Sequence, residues 1–258
     1  MKRQEKIVQI LTKEHSISIT ALAEMLGVSG WTVRRDLARM AQEGLVQRQH
    51  GVVSLAVPQP IPPFDTFEKR SRENLVNKQS IGRATARLLK PNQYVAIGAG
   101  TTTTLVAREL ARLDHKPMHI TTNALNIAME LALCPNLLVT CTCGDVRSDH
   151  YTLTGPVAER ALRAHYYDVA VIGVSGITAK EGLTVNSQLD SIALQIMIEQ
   201  SRRLIAVTDS SKIGRVNFVH LAPLEKVDVL VLDCSAPPAF CKAVLDMEVK
   251  IVIADSDY

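Results

Sequence analysis

The first 56 residues show the apolar spacing of three amphipathic helices followed by a hairpin. The predicted helices cover the segment of Ile7, Ile10 and Leu11, about residues 20–26, and about residues 30–42. Gly27 is expected to end the second helix, and Ser29 is expected to cap the third. Two short apolar runs flank Arg48–Gly51, which predicts a hairpin with a basic bend.

The third predicted helix separates an apolar stripe from a polar face. Val33, Leu37 and Met40 follow the i, i+4, i+7 spacing of a buried stripe. The side chains on the far side are those of Trp31, Thr32, Arg35, Arg39 and Gln42, with Arg34 on the flank. Arginine can donate to guanine, and a threonine methyl can contact thymine. A solvated helix also has a charged outer face, so the turn before this helix and the basic hairpin after it are what favour DNA binding.

These features together predict a winged helix-turn-helix over residues 1–56, with double-stranded DNA as its partner. The third helix is expected to enter the major groove, and the hairpin bend is expected to contact phosphates or the minor groove. The predicted DNA-binding residues are Ser29, Trp31, Thr32, Arg34, Arg35, Arg39, Arg48 and His50.

The rest of the chain alternates short β-branched runs with helical spacing. The predicted strands are Tyr94–Ile97, His119–Thr122, Leu137–Cys141, Asp168–Ile172, Leu204–Thr208, Asp228–Leu232 and Val249–Ile253. Strands that are apolar throughout and separated by helices indicate a largely parallel sheet covered on both faces. The second domain, residues 74–258, is therefore expected to be of the α/β class.

A proline-rich segment separates the two parts. Four prolines stand within positions 58–63, where they prevent a helix and favour an extended, semi-stiff connector. The connector is expected to cover residues 57–73 and to continue through the charged run Phe67–Glu73.

The charge is unevenly distributed between these parts. The chain of 258 residues has a net charge of +3, and residues 1–50 alone hold eight Lys/Arg and five Asp/Glu, which accounts for all of it. Such asymmetry is typical of a small polyanion-binding module on a neutral body. Apolar runs fall short of the ~18 residues of a membrane span, and the charged N-terminus does not resemble a signal peptide. A cytoplasmic protein is expected, with five cysteines that form no disulfide framework.

Small polar residues follow several predicted strands. Gly98–Thr104 lies between a strand and a helix, where backbone N–H groups can hold a phosphate; a tight turn with a threonine cap fits the same residues equally well. The other loops of this kind are Thr121–Asn123, Gly144–Arg147, Gly173–Ile177 and Asp209–Gly214. In open α/β sheets, ligands gather at such strand ends. The predicted effector-binding residues are Gly100, Thr101, Thr102, Thr103, Asn123, Arg147, Asp209 and Lys212.

The set of Arg, Lys, Asp and hydroxyl side chains suits a polyhydroxylated anion such as a sugar phosphate. No Walker A loop, complete dinucleotide fingerprint, HExxH or Gly-x-Ser-x-Gly motif is present, and the cysteines lack metal-site spacing. No catalytic residue, metal or cofactor is therefore expected. Asp209 and Lys212 leave open an isomerase acid/base pair.

The motifs resemble the DeoR family of bacterial transcription regulators along nearly the whole chain. The N-terminal part of the resemblance lies in Ala21–Ser29, Thr32–Leu37 and Gly44–Gly51, and the C-terminal part in Gly100–Thr103, Thr122–Asn123, Gly155, Gly182–Thr184 and Asp209–Gly214. After Gly182–Thr184 the family commonly has an acidic residue and a lysine. Asp190 stands for the first here, and Leu194 occupies the place of the second.

The resemblance implies a C-terminal domain similar to the sugar-phosphate isomerase and CoA-transferase fold, which senses phosphorylated sugars. It also implies a homo-oligomer, dimer or tetramer, that acts as a repressor of sugar catabolism. Two alternatives remain open at this stage. One is an active sugar-phosphate isomerase with an appended nucleic-acid module, which substrate turnover would reveal. The other is a structural DNA-binding protein with no effector.

Overall fold

The computed structural model describes residues 3–14, 16–42, 46–49, 51–55, 66–113 and 117–255. The chain divides into two compact units, Met1–Phe64 and Asp65–Tyr258. One hydrophobic cluster forms the core of the smaller unit, and two clusters lie in the larger one. In the described ranges, no helix is both long and apolar enough to cross a bilayer.

The smaller unit contains the predicted three helices and hairpin. Its elements are α1 (Arg3–Glu14), β1 (Ser16–Ser18), α2 (Ile19–Leu26), α3 (Gly30–Gln42), β2 (Val46–Gln49) and β3 (Val52–Leu55). The strands form an antiparallel sheet in the order β1-β3-β2. Strand β1 was not predicted, because a run of three residues has no recognisable periodicity of its own and forms only by pairing with β3.

The turn between α2 and α3 forms as its sequence predicts. Gly27 has a φ of +66°, a backbone conformation in which a side chain would be strained, and it ends α2. Ser29 caps α3, because its Oγ accepts a hydrogen bond from the Thr32 backbone N–H at 3.2 Å. The apolar stripe of α3 is fully buried: Val33, Leu37 and Met40 have no exposed surface. The stripe therefore fixes which face of α3 points outward.

The larger unit is built on a seven-stranded parallel sheet. Its strands are β4 (Tyr94–Ile97), β5 (Met118–Thr122), β6 (Leu137–Cys141), β9 (Val169–Gly173), β12 (Leu204–Val207), β14 (Val229–Asp233) and β15 (Lys250–Ala254), in the order β15-β14-β12-β9-β4-β5-β6. All six pairings are parallel. The seven predicted strands are confirmed, each within one residue at either end.

Within the described residues of the larger unit, seven α-helices surround this sheet or connect its strands. They are α4 (Phe67–Arg72), α5 (Leu75–Ala86), α6 (Thr101–Arg112), α7 (Leu125–Leu131), α8 (Pro156–Arg163), α9 (Gln188–Glu199) and α10 (Pro238–Leu245). Alternate residues of a strand enter opposite cores: Val95 and Ile97 pack into one cluster, and Ala96 packs into the other. Burial on both faces is why these strands are apolar throughout.

The described part of the larger unit has five further short strands outside the main sheet. They are β7 (Asp145–Arg147), β8 (Thr152–Thr154), β10 (Gly176–Thr178), β11 (Gly182–Val185) and β13 (Val219–Ala222). Strands β7 and β8 form an antiparallel pair, and β10, β11 and β13 form a small antiparallel sheet. The sequence pattern predicts loops at residues 144–147 and 173–177, and this prediction is wrong where β7 and β10 form. Their three-residue lengths conceal the alternation that identifies longer strands.

The segment just before α5 also differs from its prediction. The sequence continues the extended connector through residue 73, but residues 67–72 form α4 and lie within the larger unit. Thr66 caps this helix by accepting a hydrogen bond from the Lys69 backbone N–H. The Phe67 ring packs edge-on against Tyr151 with ring centroids 5.1 Å apart, and the Phe67 N–H donates to the Asp149 carbonyl at 3.0 Å. These contacts provide the stabilisation that so short a helix lacks alone.

Helices α5 and α6 touch at Gly82, and this contact gives a stability prediction. A Cβ at Gly82 would lie 2.9 Å from the backbone carbonyl of Leu105, which cannot move aside as a flexible side chain can. We expect Gly82→Ala to lower the free energy of unfolding of the larger unit by about 1–3 kcal/mol, measured by urea denaturation. Gly173→Ala is the matched control, because its Cβ would meet only a Thr103 methyl at 3.8 Å. Equal stability of the two variants would contradict this packing.

Candidate functional site

The outer face of α3 presents the predicted DNA-contacting side chains together. Arg34, Arg35 and Arg39 are exposed, and Trp31 has 68% of its surface exposed. The guanidinium carbon of Arg35 lies 5.0 Å from the centroid of the Trp31 ring, a cation–π contact that limits where Arg35 can point. Arg3 Nε donates to Asp36 at 2.6 Å, which neutralises the only carboxylate of α3. The face is therefore net positive.

The residues at the start of α3 form a second part of this surface. The Thr32 and Ser29 hydroxyls are 2.9 Å apart and hydrogen-bonded, so both are held at the helix N-terminus. Arg34 lies apart from Arg35 and lines a shallow groove beside the α2–α3 turn, together with Glu24 and Ser29. Arginine on the flank and hydroxyls at a helix N-terminus are groups that contact DNA phosphates.

Two further residues, Arg48 and His50, are predicted to contact DNA. Arg48 lies in β2, where its backbone pairs with Val53 of β3. His50 lies outside the described residues. The role of both in DNA binding stays a prediction.

The second candidate site lies where the order of the sheet reverses. From β4 the chain proceeds outward through β5 to β6, and it then returns to β9 on the other side of β4. Ligands bind outside the carboxyl ends of strands at such a switch point. The loops that follow β4 and β9 meet here: a Cβ at Gly173 would be in contact with Thr103.

The threonines of the Gly100–Thr103 turn have different environments. The Thr103 hydroxyl donates to the Gly100 carbonyl at 3.0 Å, and the Thr104 hydroxyl donates to the same oxygen at 2.7 Å. Thr102 and Thr103 are buried, whereas Thr101 is half-buried. The hydroxyls of Thr103 and Thr104 therefore hold the turn, and Thr101 is the most accessible of the threonines at the start of α6.

Asn123 lies beside this turn, at the end of β5. Its Oδ1 accepts a hydrogen bond from the Ala99 N–H at 3.2 Å, and its Nδ2 donates to the Leu153 carbonyl at 3.4 Å. The side chain is almost wholly buried. Asn123 thus joins three segments around the site, and both of its polar atoms are used in doing so.

Asp209 and Lys212 lie at the end of β12. Asp209 is 1% exposed, and its Oδ1 accepts from the Ser211 N–H at 3.1 Å and also from the Ser211 hydroxyl. Asn74, just before α5, donates to the same oxygen at 2.9 Å. Lys212 is half-buried at the end of the 3₁₀ turn Ser210–Lys212. A carboxylate with these donors is oriented rigidly.

Arg147 is engaged with two carboxylates. Its Nη2 donates to Asp149 at 2.8 Å, and its Nη1 donates to Asp190 at 3.1 Å. His150 contacts the other oxygen of Asp190 at 2.7 Å. Burial raises the pKa of Asp190, but the hydrogen bond with His150 and the charge of Arg147 outweigh it, so the pKa lies below its usual value. Asp190 is therefore ionised and holds Arg147.

Leu194 stands where the DeoR family, which the sequence resembles, commonly has a lysine. It is buried in the core, and a Cβ at Gly98 would lie 2.5 Å from its Cδ2. An apolar side chain here packs beneath the loop that follows β4, so this position supplies no charge to the site.

Lys78 is a buried charge that the sequence pattern does not single out. It lies on α5 with only 3% of its surface exposed, and its Nζ donates to the Arg70 carbonyl at 2.5 Å. Burial lowers the pKa of Lys78, an effect that the charge of Asp209 partly opposes. Its spacing could have indicated this burial, because Lys78 lies three residues before Ile81 and so at the start of the inner stripe of a predicted helix.

Comparison with known proteins gives two family matches along the chain. The model of the DeoR-like helix-turn-helix domain matches residues 3–59. The model of the DeoR C-terminal sensor domain matches residues 73–234.

Relatives match over nearly the full length. The HTH-type transcriptional regulator GlpR of Haloferax volcanii is 31% identical over 233 residues, covering 90% of this chain and 89% of its own. The glycerol-3-phosphate regulon repressor of Escherichia coli K12 is 26% identical and covers 97% of each chain. Ribose 5-phosphate isomerase A of Neisseria gonorrhoeae aligns with a TM-score of 0.41 and 14% identity, over 53% of this chain and 52% of its own.

Proposed function

Because the chain belongs to the DeoR family of transcriptional regulators, we propose that it represses a sugar-catabolism operon and that a phosphorylated sugar releases it from its operator. The observation that carries the proposal is the presence of both family domains, DNA-binding and sensor, in one chain. The name of the Escherichia coli relative, a glycerol-3-phosphate regulon repressor, favours repression and a phosphorylated effector. The same family match favours a regulator over an isomerase with an appended module.

The two domains divide this function. Residues 1–56 bind DNA, and residues 74–258 bind the effector and associate with other copies of the chain. The connector is shorter at its C-terminal end than the predicted 57–73, since α4 belongs to the larger unit. The repressor acts in the cytoplasm, where its operator lies, and it uses no cofactor.

On the DNA, the outer face of α3 occupies the major groove. Arg35 reads a base, because it projects opposite the buried stripe and Trp31 restrains it. Arg34 and Ser29 hold a phosphate at the flank. Thr32 and Arg39 contact the edges of the major groove. Arg48 and His50, in the hairpin that forms the wing, contact the DNA backbone or the minor groove.

In the sensor domain, the effector phosphate rests at the start of α6. The backbone N–H groups of the first turn of α6 have no partner within the helix, and the helix dipole contributes roughly half a positive charge there. Lys212 supplies a further charge, and Asp209 accepts a hydrogen bond from a sugar hydroxyl at the other end of the ligand. The contacts of Asn123 and Arg147 favour a supporting role, in which they position the turn and the β7–β8 hairpin.

Release requires that the effector bind two states of the repressor with different affinities. A coupling free energy of about 1–3 kcal/mol between the two sites is sufficient to change operator occupancy several-fold. Because the coupling is reciprocal, operator DNA must weaken effector binding by the same factor. Helix α4 is suited to transmit the change, since it follows the connector and contacts Asp149 and Tyr151 beside the Arg147 cluster.

The test is fluorescence anisotropy with DNA fragments from the promoters nearest the gene, at fixed salt concentration. We expect tight binding to one fragment and its release by one sugar phosphate among a panel, with no release by the unphosphorylated parent sugars. The same panel is assayed for isomerisation. Turnover of a sugar phosphate without any sequence-specific DNA binding would show that the chain is an isomerase and not a repressor. Sequence-specific DNA binding that no sugar phosphate alters would refute the proposal of a phosphorylated effector.

We also predict a symmetric homo-oligomer, a dimer or a tetramer. A single winged helix offers a small DNA interface, whereas a dimer joins two half-sites and gains avidity. Sedimentation velocity at micromolar concentration should show a species of at least twice the 28.3 kDa chain mass. A monomer both with and without operator DNA would contradict this prediction.

A further inference from the structure

Trp31 presents a large apolar ring that the core of the smaller unit does not use. It is the second residue of α3 and the only tryptophan in the chain. Most of its surface is exposed, and the hydrophobic cluster formed by the described residues of this unit does not include it. An aromatic ring buries a large apolar area when a partner covers it. The ring is therefore available to whatever α3 docks against.

Trp31 and Arg35 form a single unit on the outer face of α3. They are four residues apart, a spacing that brings two side chains together on one face of a helix. The Arg35 guanidinium carbon lies over the indole ring, 5.0 Å from its centroid. The ring thus covers one face of the planar guanidinium, and the N–H donors, which lie in that plane, are left unobstructed by it.

This stacking determines where the indole lies when Arg35 binds a guanine. A bidentate contact places the guanidinium in the plane of the base, because its two donors and the O6 and N7 acceptors share that plane. Neighbouring base pairs are about 3.4 Å apart. A ring centred 5.0 Å from the guanidinium carbon is between one and two such steps away. The indole therefore lies beside the major-groove edge of the adjoining base pair.

The chemistry of that edge favours one base over the others. Thymine is the only base that carries a methyl group there, whereas the other three present hydrogen-bonding groups alone. An indole ring laid over those groups would remove them from water without replacing their hydrogen bonds, which costs affinity. A thymine methyl group against the ring instead buries apolar surface on both partners.

We propose that Trp31 is a specificity-determining residue whose indole ring covers the C5-methyl group of a thymine next to the guanine bound by Arg35. The proposal rests on the proposed function for the existence of an operator, and it adds a second base pair and the group by which it is recognised. Thr32 is the alternative contact for a thymine methyl, but it is half-buried and its hydroxyl is hydrogen-bonded to Ser29.

The first experiment removes the methyl group from the DNA. The unmutated full chain selects its preferred site from a pool of random duplexes, and each thymine of that site is then replaced by deoxyuridine in anisotropy titrations at fixed salt concentration. Loss of one buried methyl group should weaken binding about fourfold. The sensitive thymine should adjoin a guanine whose replacement by 7-deazaguanine, which lacks the N7 acceptor, weakens binding of the unmutated chain but not of Arg35→Ala.

Two variants show which side chain covers the methyl group. Trp31→Ala should bind the thymine and deoxyuridine sites equally, whereas lost restraint on Arg35 would weaken its binding to both sites alike. Thr32→Ser is the matched control, because it loses its own methyl group but keeps the hydroxyl that bonds to Ser29. It should retain the preference for thymine. A preference that persists in Trp31→Ala, or that disappears only in Thr32→Ser, overturns the proposal.

A second measurement needs no variant. Because Trp31 is the only tryptophan, the tryptophan fluorescence of the chain reports on this position alone. Quenching by acrylamide should fall several-fold in the complex with the selected site and much less with unrelated DNA. Equal quenching in the free chain and the specific complex overturns the proposal, and so does a selected site at which no thymine is sensitive to deoxyuridine. In both cases sequence-specific DNA binding still holds, whereas failure to select any site would contradict the proposed function as well.

Discussion

Replacing Arg35 with alanine is expected to weaken operator binding by about 1–3 kcal/mol, which is about a fivefold to 150-fold loss. Arg35 projects opposite the fully buried stripe of Val33 and Leu37, so its guanidinium points outward and not into the protein core. A bidentate contact with guanine discriminates one base pair from the others. The loss should therefore fall mainly on the cognate site and much less on unrelated DNA.

Arg34→Ala is the matched control on the neighbouring residue. Arg34 lines the shallow protein groove beside the α2–α3 turn, at the flank of α3. Its loss should therefore weaken binding to all DNA sequences alike and reduce the slope of log affinity against log salt concentration by about one. Anisotropy titrations with cognate and scrambled fragments at several salt concentrations distinguish the two patterns. An Arg35→Ala protein that binds its operator as tightly as the unmutated chain would show that this face of α3 does not read DNA.

Trp31 provides an independent check of the same geometry. Its ring lies against the Arg35 guanidinium and is otherwise largely exposed, so it has little part in the core. Trp31→Ala should therefore leave the melting temperature of the smaller unit, measured by circular dichroism, unchanged. It should weaken operator binding several-fold, because Arg35 loses the restraint that Trp31 provides. A large loss of stability would instead make Trp31 a packing residue.

The sequence predicts the parts of this fold that are governed by long, regular burial. The strand Leu204–Val207 is apolar at every position because both sheet faces are covered, and such a run is visible without coordinates. Helix α3 begins where it is predicted to begin, since the Ser29 cap and the preceding Gly27 both indicate the same start, and the apolar stripe indicates its buried face. These signals are local, and each is consistent with the others.

The features that the sequence does not predict depend on contacts distant along the chain. Helix α4 forms because Phe67 meets Tyr151 and the Asp149 carbonyl, more than 80 residues away, and no local pattern contains that information. Strand β7 forms by pairing with β8. Arg147 resembles a free anion-binding group in the sequence, but Asp149 and Asp190 bind it in the fold. Which charges are available to a ligand is therefore a tertiary property.

The largest effect on regulation is expected from a negative charge at the start of α6. The structure favours Thr101 for this change, because Thr102 is buried and a glutamate there would add a desolvation cost to the repulsion. Thr101 is half-buried at the first position of the helix, where a carboxylate interacts favourably with the helix dipole. Thr101→Glu should therefore fold normally.

In the Thr101→Glu protein, the carboxylate would lie within about 5 Å of the phosphate and repel it by roughly 3 kcal/mol or more at an effective dielectric constant near 20. Sugar-phosphate affinity should fall at least about a hundredfold. The expected repressor binds its operator normally, and no sugar phosphate at ordinary concentration releases it.

Thr101→Gln is the matched control, because it has the same size as glutamate without the charge. Calorimetry gives the sugar-phosphate affinity of the two variants, and anisotropy gives their release from the operator. Thr101→Gln should lose much less affinity than Thr101→Glu, and the difference should shrink as added salt screens the repulsion. If Thr101→Glu binds sugar phosphate and leaves the operator as the unmutated chain does, Gly100–Thr103 is only a turn and the effector phosphate lies elsewhere.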